Sequence, residues 1–302
     1  MNHVVWTQWD DIEVPAGIKK LGPATAPLDS DLMETVTFYV PTYMTGKTGL
    51  DPVTRMPALR TLQVPNAGYD GALAYRREGL TICNAKGVHD LSTSELALAL
   101  TLTSLRGIDE FVRAQPHGQW LQGPRPSLAY KRVGLVGYGS IGQTIARMLE
   151  PFKVDLVPFS KSGRDGSHTM DRLDALLPTF DVVIIIVPAN AETTKMFDQR
   201  RLALMKDGAL LVNVARGVIV DTDALLHELE SGRIRAAIDV VDPEPLPSDH
   251  PLWQAPGLVL SPHVGGNSSA FEPGMRALLK TQFDRLAQGL EPLHIVAQGK
   301  GE

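Results

Sequence analysis

Cysteine is almost missing from this chain of 302 residues: Cys83 stands alone, so no intramolecular disulfide can form and a secretory disulfide scaffold is excluded. Its setting in LTICNA reads as a buried strand, which makes it a small hydrophobe rather than a catalytic thiol. Long apolar runs are missing as well. The longest uninterrupted one, Val182–Val187, is far too short to span a bilayer, and the opening MNHVVWTQWDD has neither the basic region nor the apolar stretch of a signal peptide. The expectation is a cytoplasmic protein with no membrane partner. Positive charge is not in surplus: 29 Lys and Arg face 34 Asp and Glu, a formal net charge of −5, which offers no electrostatic footprint for nucleic acid. A small anionic substrate therefore needs a local cation.

What is present is an ordinary globular composition, 43% apolar and 21% charged, in a chain longer than a single core usually supports. Two domains are the expectation. The stretch the chain is organised around is KRVGLVGYGSIGQ, Lys131–Gln143. A strand-like run, Val133 to Val136, enters Gly137-Tyr138-Gly139-Ser140-Ile141-Gly142, and Ile141, Ile145, Met148 and Leu149 then repeat at helical spacing. The residue types have a mechanical reason. Gly137 permits the tight turn, Gly139 lets the backbone approach a pyrophosphate, Gly142 lets the helix pack on its strand, and the helix N-terminus turns its N–H groups to the phosphates. Strand before and amphipathic helix after are the context in which this motif binds a dinucleotide.

Before this motif, short strand-like runs at Val4–Trp6, Val36–Val40, Leu59–Val64 and Leu80–Cys83 are separated by Pro, Gly and Asp. The loop Val64–Gly71 follows one of them. It reads either as a strand-to-helix turn or as a loop whose free N–H groups hold an anion. Leu91–Val112 predicts one long buried helix, capped by Ser92 or Thr93. From Lys131 onward, strands at 133–136, 154–159, 182–187, 209–214, 236–241 and 258–260 alternate with helices near 141–150, 171–177, 198–205, 221–231 and 268–288. Runs such as DVVIIIVP, apolar without alternation, suit strands covered on both faces, so the fold class is α/β with a doubly wound parallel (Rossmann) sheet.

The tip of the second strand of that sheet, Phe159-Ser160-Lys161-Ser162-Gly163-Arg164, carries hydroxyls and cations where an NAD site places a carboxylate; Asp155 sits at the strand's other end. NADP is the preferred cofactor, with Ser160, Lys161 and Arg164 around its phosphate, and NAD the alternative. Three polar residues follow three successive strands: Arg216 after LLVNVA, Glu244 within DVVDPEPLP, and His263 after Leu258–Pro262. Ligands bind outside the carboxyl ends of parallel strands, where all three lie. Carbonyl reduction needs such a set. The planar fork of Arg216 grips a carboxylate and polarises a carbonyl, His263 delivers a proton as general acid, and Glu244 orients the imidazole.

GYGSIG, NVARG (Asn213–Gly217), DPEPLP (Asp242–Pro247) and SPHVGG (Ser261–Gly266), in this order, resemble the D-isomer-specific 2-hydroxyacid dehydrogenases, the family of phosphoglycerate dehydrogenases and glyoxylate/hydroxypyruvate reductases. The resemblance covers roughly Gly87 to Gly266. It implies the Arg216, Glu244 and His263 catalytic set, and a smaller flavodoxin-like substrate domain built from residues 1–95 and 275–302 around a dinucleotide-binding domain at 96–274. It further implies that Asp239 lies near the nicotinamide carboxamide, with Pro188, Val214, Ala215 and Gly265 also at the cofactor, and that Asn66, Ala67 and Gly68 offer N–H groups to the substrate, a small 2-oxo or 2-hydroxy acid. A homodimer is implied, and no metal. Two other functions stay open on the same fold, a dinucleotide-sensing corepressor and a phosphite or formate dehydrogenase.

Overall fold

Five short strands near the start of the chain form a parallel sheet: β1 (His3–Trp6), β2 (Ile18–Leu21), β3 (Phe38–Tyr39), β4 (Thr61–Gln63) and β5 (Thr81–Cys83). A sixth strand, Ile295–Gln298, returns from the far end and pairs antiparallel with β5, giving the order of that strand, then β5-β4-β3-β1-β2. Apart from the antiparallel edge this is a flavodoxin-like order. The computed structural model of the chain describes residues 3–299. Two of these strands, Ile18–Leu21 and Ile295–Gln298, are absent from the sequence expectation. Both lie at sheet edges and are only partly buried, so neither shows the continuous apolar run that marks a central strand.

The second sheet contains β6 (Arg132–Val136), β7 (Asp155–Phe159), β8 (Val182–Ile185), β9 (Leu210–Asn213), β10 (Arg235–Ile238) and β11 (Leu258–Leu260), all parallel, in the order β7-β6-β8-β9-β10-β11. A single parallel bridge from Phe159 to His168 stands where the third strand of a 3-2-1-4-5-6 dinucleotide fold runs. The non-alternating apolar pattern is explained by two separate cores. Val133, Leu135, Val182, Ile184, Leu210 and Val212 pack with Ala97, Leu100, Ile145 and Leu149 on one face. Val183, Ile185 and Leu211 pack with Leu173, Leu202, Leu225 and Leu229 on the other. Each large apolar side chain withdrawn from water in this way contributes about 1.5–3 kcal/mol.

The contacts divide the chain into a first unit, residues up to His89 together with those from Ser269 onward, and a second unit, Asp90–Ser268. The divisions fall six residues before the expected 95/96 and 274/275 at both places, and the packing gives the reason. Asp90–Arg106 is one unbroken helix whose Thr93 hydroxyl donates to the Gly265 carbonyl (3.3 Å) and whose Ser94 hydroxyl donates to the Ile141 carbonyl (3.3 Å). The helix Phe271–Ala287 buries Phe271, Met275 and Phe283 against Val5, Trp9 and Phe38 of the first unit. The expected single helix over 91–112 is corrected too. It starts at Asp90, stops at Arg106, and resumes over Ile108–Ala114 after Gly107, whose φ of +65° breaks it. Ser92 and Thr93 lie inside the helix, buried, rather than capping it.

Cys83 is fully buried in β5, and desolvation pushes its thiol up to about 12, consistent with a packing role. Among the described residues no helix is long and apolar enough to cross a membrane.

Candidate active site

The glycine-rich turn leaves β6 at Val136. Gly137 has φ +115°, and a Cβ there would stand 2.2 Å from the Ile186 carbonyl oxygen, so β8's extension forbids any side chain. A Cβ on Gly142 would stand 2.2 Å from the Gly137 carbonyl oxygen, which is the close packing of helix Ser140–Leu149 on its own strand. Gly139 differs: nothing lies within 4 Å of the position its Cβ would take, and no side chain caps the helix it precedes. Two glycines are thus required by the protein's own backbone, and the third faces open space at an uncapped helix N-terminus, the place where a pyrophosphate fits. Gly139→Ala is expected to leave the melting temperature within about 2 °C and to weaken dinucleotide binding roughly tenfold, whereas Gly142→Ala should lower stability by about 2 kcal/mol or more. Thermal unfolding and fluorescence titration of the two variants check this.

Tyr138 and Ile141 pack against the core on the helix-covered face of β6. Ser140 donates its hydroxyl to the Asp90 carboxylate. No feature of the sequence links position 90 to position 140; the pairing arises because the helices beginning at Asp90 and Ser140 pack together.

Beyond β7, Ser160 orders its own loop. Its Oγ shares a hydrogen bond with Ser167 Oγ (2.7 Å) and accepts from the Gly163 N–H (3.0 Å), while its N–H donates to the His168 carbonyl (2.9 Å). Lys161 is exposed and its ammonium reaches both carboxylate oxygens of Glu192, at 3.0 and 2.7 Å; Arg164 is exposed. Asp155 is the first residue of β7, at the end opposite this loop. Pro188 lies in the loop after β8, and its carbonyl accepts from the Thr193 hydroxyl (2.7 Å).

The carboxyl ends of β9, β10 and β11 are adjacent along one edge of the sheet. Past β9, Asn213 clamps the chain: its Oδ1 accepts from the Ala215 N–H (3.0 Å) and its Nδ2 donates to the Arg216 carbonyl (3.0 Å). Val214 and Ala215 are buried, and Arg216 Nη1 donates to the Ala215 carbonyl (2.7 Å). A Cβ on Gly217 would fall 1.8 Å from the Val241 carbonyl oxygen, so the Arg216 turn lies directly on the segment that leads to Glu244.

Past β10, Asp239 is 2% exposed, and its carboxylate organises the following loop. Oδ1 accepts from Ser261 Oγ (2.6 Å) and the Val264 N–H (2.9 Å), Oδ2 from the Gly265 N–H (2.8 Å), and the Asp239 carbonyl accepts from the His263 N–H (2.7 Å). This cage holds His263 at φ +54°, a backbone conformation costly for any side chain but glycine's. There its Nδ1 hydrogen-bonds Glu244 Oε1, with both side chains partly open to solvent, 37% and 41%. The expected pairing of His263 with Glu244 is therefore present. The anchoring by Asp239, Ser261 and Gly265 is what the sequence did not announce, since three of the four donors in it are backbone N–H groups.

In the first unit, the loop after β4 spends its carbonyls. Pro65 O is bonded by His89 Nε2 (2.8 Å), Asn66 O accepts from the Ala85 N–H (2.9 Å) and Ala67 O accepts from Asn84 Nδ2 (2.7 Å). The N–H groups of Asn66, Ala67 and Gly68 donate to no acceptor among the described residues.

The family described as D-isomer specific 2-hydroxyacid dehydrogenase, NAD binding domain, matches residues 98–265. A glyoxylate reductase of Thermococcus litoralis is 31% identical over 276 residues, 84% of this chain and 82% of that protein. A D-isomer specific 2-hydroxyacid dehydrogenase family protein from Aeromonas salmonicida superposes with a TM-score of 0.86 at 25% identity, covering 98% of this chain and 99% of that one. A D-isomer specific 2-hydroxyacid dehydrogenase from Xanthobacter autotrophicus, solved with NADPH and MES, gives 0.78 at 25% identity over 98% of both chains. With its parallel sheet, its glycine turn and a histidine held against a carboxylate at the strand ends, the chain belongs to the D-isomer specific 2-hydroxyacid dehydrogenase family and is an NAD(P)-dependent dehydrogenase.

Proposed function

We propose that this enzyme interconverts small 2-oxo acids and D-2-hydroxy acids, works with NADP in preference to NAD, and uses Arg216, His263 and Glu244 for the chemistry. The observation that carries the reading is the hydrogen bond from His263 Nδ1 to Glu244 at the carboxyl edge of the sheet, two strands from Arg216. When bound, the nicotinamide supplies or accepts a hydride. Gly137 to Gly142, Pro188, Val214, Ala215, Asp239 and Gly265 line its place, with Ser160, Lys161 and Arg164 toward the ribose. The guanidinium of Arg216 holds the substrate's carboxylate and draws electron density toward its carbonyl oxygen. Doubly protonated His263 donates Nδ1–H to Glu244 and keeps Nε2–H for that oxygen. As the carbonyl carbon is reduced, the oxygen takes this proton, and the imidazole is left neutral. The N–H groups of Asn66, Ala67 and Gly68 are assigned to a carboxylate, being donors with no acceptor among the described residues.

The glyoxylate reductase relatives support a short substrate side chain, and the NADPH in the Xanthobacter structure supports the cofactor choice. Neither the corepressor reading nor phosphite or formate oxidation gains support from them. The cytoplasmic homodimer expected from the sequence stays part of the proposal. The test is a panel of glyoxylate, hydroxypyruvate, pyruvate and bulkier 2-oxo acids assayed with NADPH and with NADH. Fastest turnover of the short acids with NADPH is expected. A clear preference for NADH removes the NADP assignment; no turnover of any 2-oxo acid, with phosphite or formate oxidised instead, overturns the whole.

A further inference from the structure

β7 and β8 flank β6 on its two sides, so the loops that follow them stand on either side of the glycine-rich turn. In such sheets the dinucleotide lies in the crevice at this reversal of strand order. One ion pair joins the two loops across it: Lys161 Nζ, from the loop after β7, with both oxygens of Glu192, from the loop after β8. Glu192 is not placed there by chance packing of a mobile side chain on a mobile loop. Asn190 Oδ1 accepts from the N–H groups of Glu192 (2.8 Å) and Thr193 (3.2 Å), and the buried Thr193 hydroxyl donates to the Pro188 carbonyl, so the backbone at Glu192 is held by its neighbours while its side chain is 68% exposed.

Lys161 is one of three residues assigned above to the 2′-phosphate, and the inference rests on that assignment. We infer that Glu192 sets how strongly the enzyme discriminates between the two nicotinamide cofactors, by competing with the 2′-phosphate for the Lys161 ammonium. A ligand without the phosphate leaves the pair intact. A ligand with it brings two further negative charges to a cation already neutralised, and the Glu192 carboxylate must turn away or share. The carboxylate that an NAD-specific site carries at the tip of the second strand is here supplied from the neighbouring loop, weaker because it is exposed and already paired.

The test uses 2′,5′-ADP and 5′-AMP as probes, titrated calorimetrically into the wild type, Glu192→Gln, Lys161→Ala and the double variant. Glutamine keeps the shape and removes the charge. Glu192→Gln should tighten 2′,5′-ADP roughly three- to tenfold and leave 5′-AMP unchanged within about twofold. The gain should shrink at about 0.5 M salt, where exposed charges are screened, and it should vanish in the Lys161→Ala background if the lysine is what is contested. The KM for NADPH should fall with kcat unaltered. If the wild type binds 2′,5′-ADP no tighter than 5′-AMP, the NADP assignment fails; a gain in Glu192→Gln would still uphold the competition. If the wild type does discriminate, and Glu192→Gln leaves the ratio of the two affinities unchanged or keeps its full gain without Lys161, the competition is overturned and the NADP assignment stands.

Discussion

Replacement of His263 by Ala is expected to lower turnover of a 2-oxo acid about 10³-fold, within the range a positioned general acid provides, while the dissociation constant for the reduced dinucleotide stays within about twofold. The separation of the two effects follows from how the residue is held. The backbone at position 263 is fixed by its N–H to the Asp239 carbonyl and by the Ser261, Val264 and Gly265 donors on the Asp239 carboxylate, none of which involves the imidazole. Alanine therefore leaves the loop in place, because that set of hydrogen bonds, and not the imidazole, holds the left-handed φ of +54°. What is lost is the proton that Nε2 would deliver. Glu244→Gln should cost less, about 10- to 100-fold, because an amide oxygen still accepts from Nδ1 and keeps the ring oriented. Single-turnover rates of hydride transfer and fluorescence titration of the cofactor measure the two quantities separately. A His263→Ala enzyme within tenfold of the wild-type rate removes His263 from the mechanism.

That histidine also marks how far the sequence could be read. The fold was legible wherever a strand is buried on both faces: Val182–Ile185 and Leu210–Asn213 are apolar at nearly every position because alternate side chains enter different cores. Edge strands Ile18–Leu21 and Ile295–Gln298 were not legible, since each is only partly buried and so lacks a continuous apolar run, and the second pairs with residues far away in the chain. Among the site residues, the glycine turn was readable from its spacing between strand and helix, although only the exclusion at Gly142 is local, against the Gly137 carbonyl, whereas Gly137 is excluded by Ile186 of a strand's continuation far along the chain. Glu244 and His263 were readable as types at strand ends, and their hydrogen bond spans only nineteen positions. Asp90 on Ser140 and Glu192 on Lys161 were not, because each joins loops or helices brought together only by the sheet order.

Arg216 is the second residue whose replacement should be severe, and lysine should not rescue it. The main chain around it is locked: Asn213 bonds the chain on both sides, and Gly217 lies so close to the Val241 carbonyl that this turn cannot shift to accommodate a different side chain. From a fixed Cα, lysine keeps the charge but replaces a planar fork, which grips a carboxylate through two parallel hydrogen bonds, by a single ammonium that reaches one oxygen at a time. Arg216→Lys is expected to lower kcat/KM for the oxo acid roughly 10²-fold and Arg216→Ala roughly 10³-fold, the latter about 4 kcal/mol of lost transition-state stabilisation. The loss should divide between a raised KM and a lowered kcat, since the proposed role has the guanidinium both bind the carboxylate and polarise the carbonyl. Dinucleotide affinity should hold, and added guanidinium ion should restore part of the Ala variant's rate but none of the Lys variant's, whose ammonium fills the space. Steady-state kinetics with and without the additive decide the matter: a Lys variant within about threefold of wild type would show that a point charge suffices there, and the bidentate grip assigned to Arg216 would have to be withdrawn.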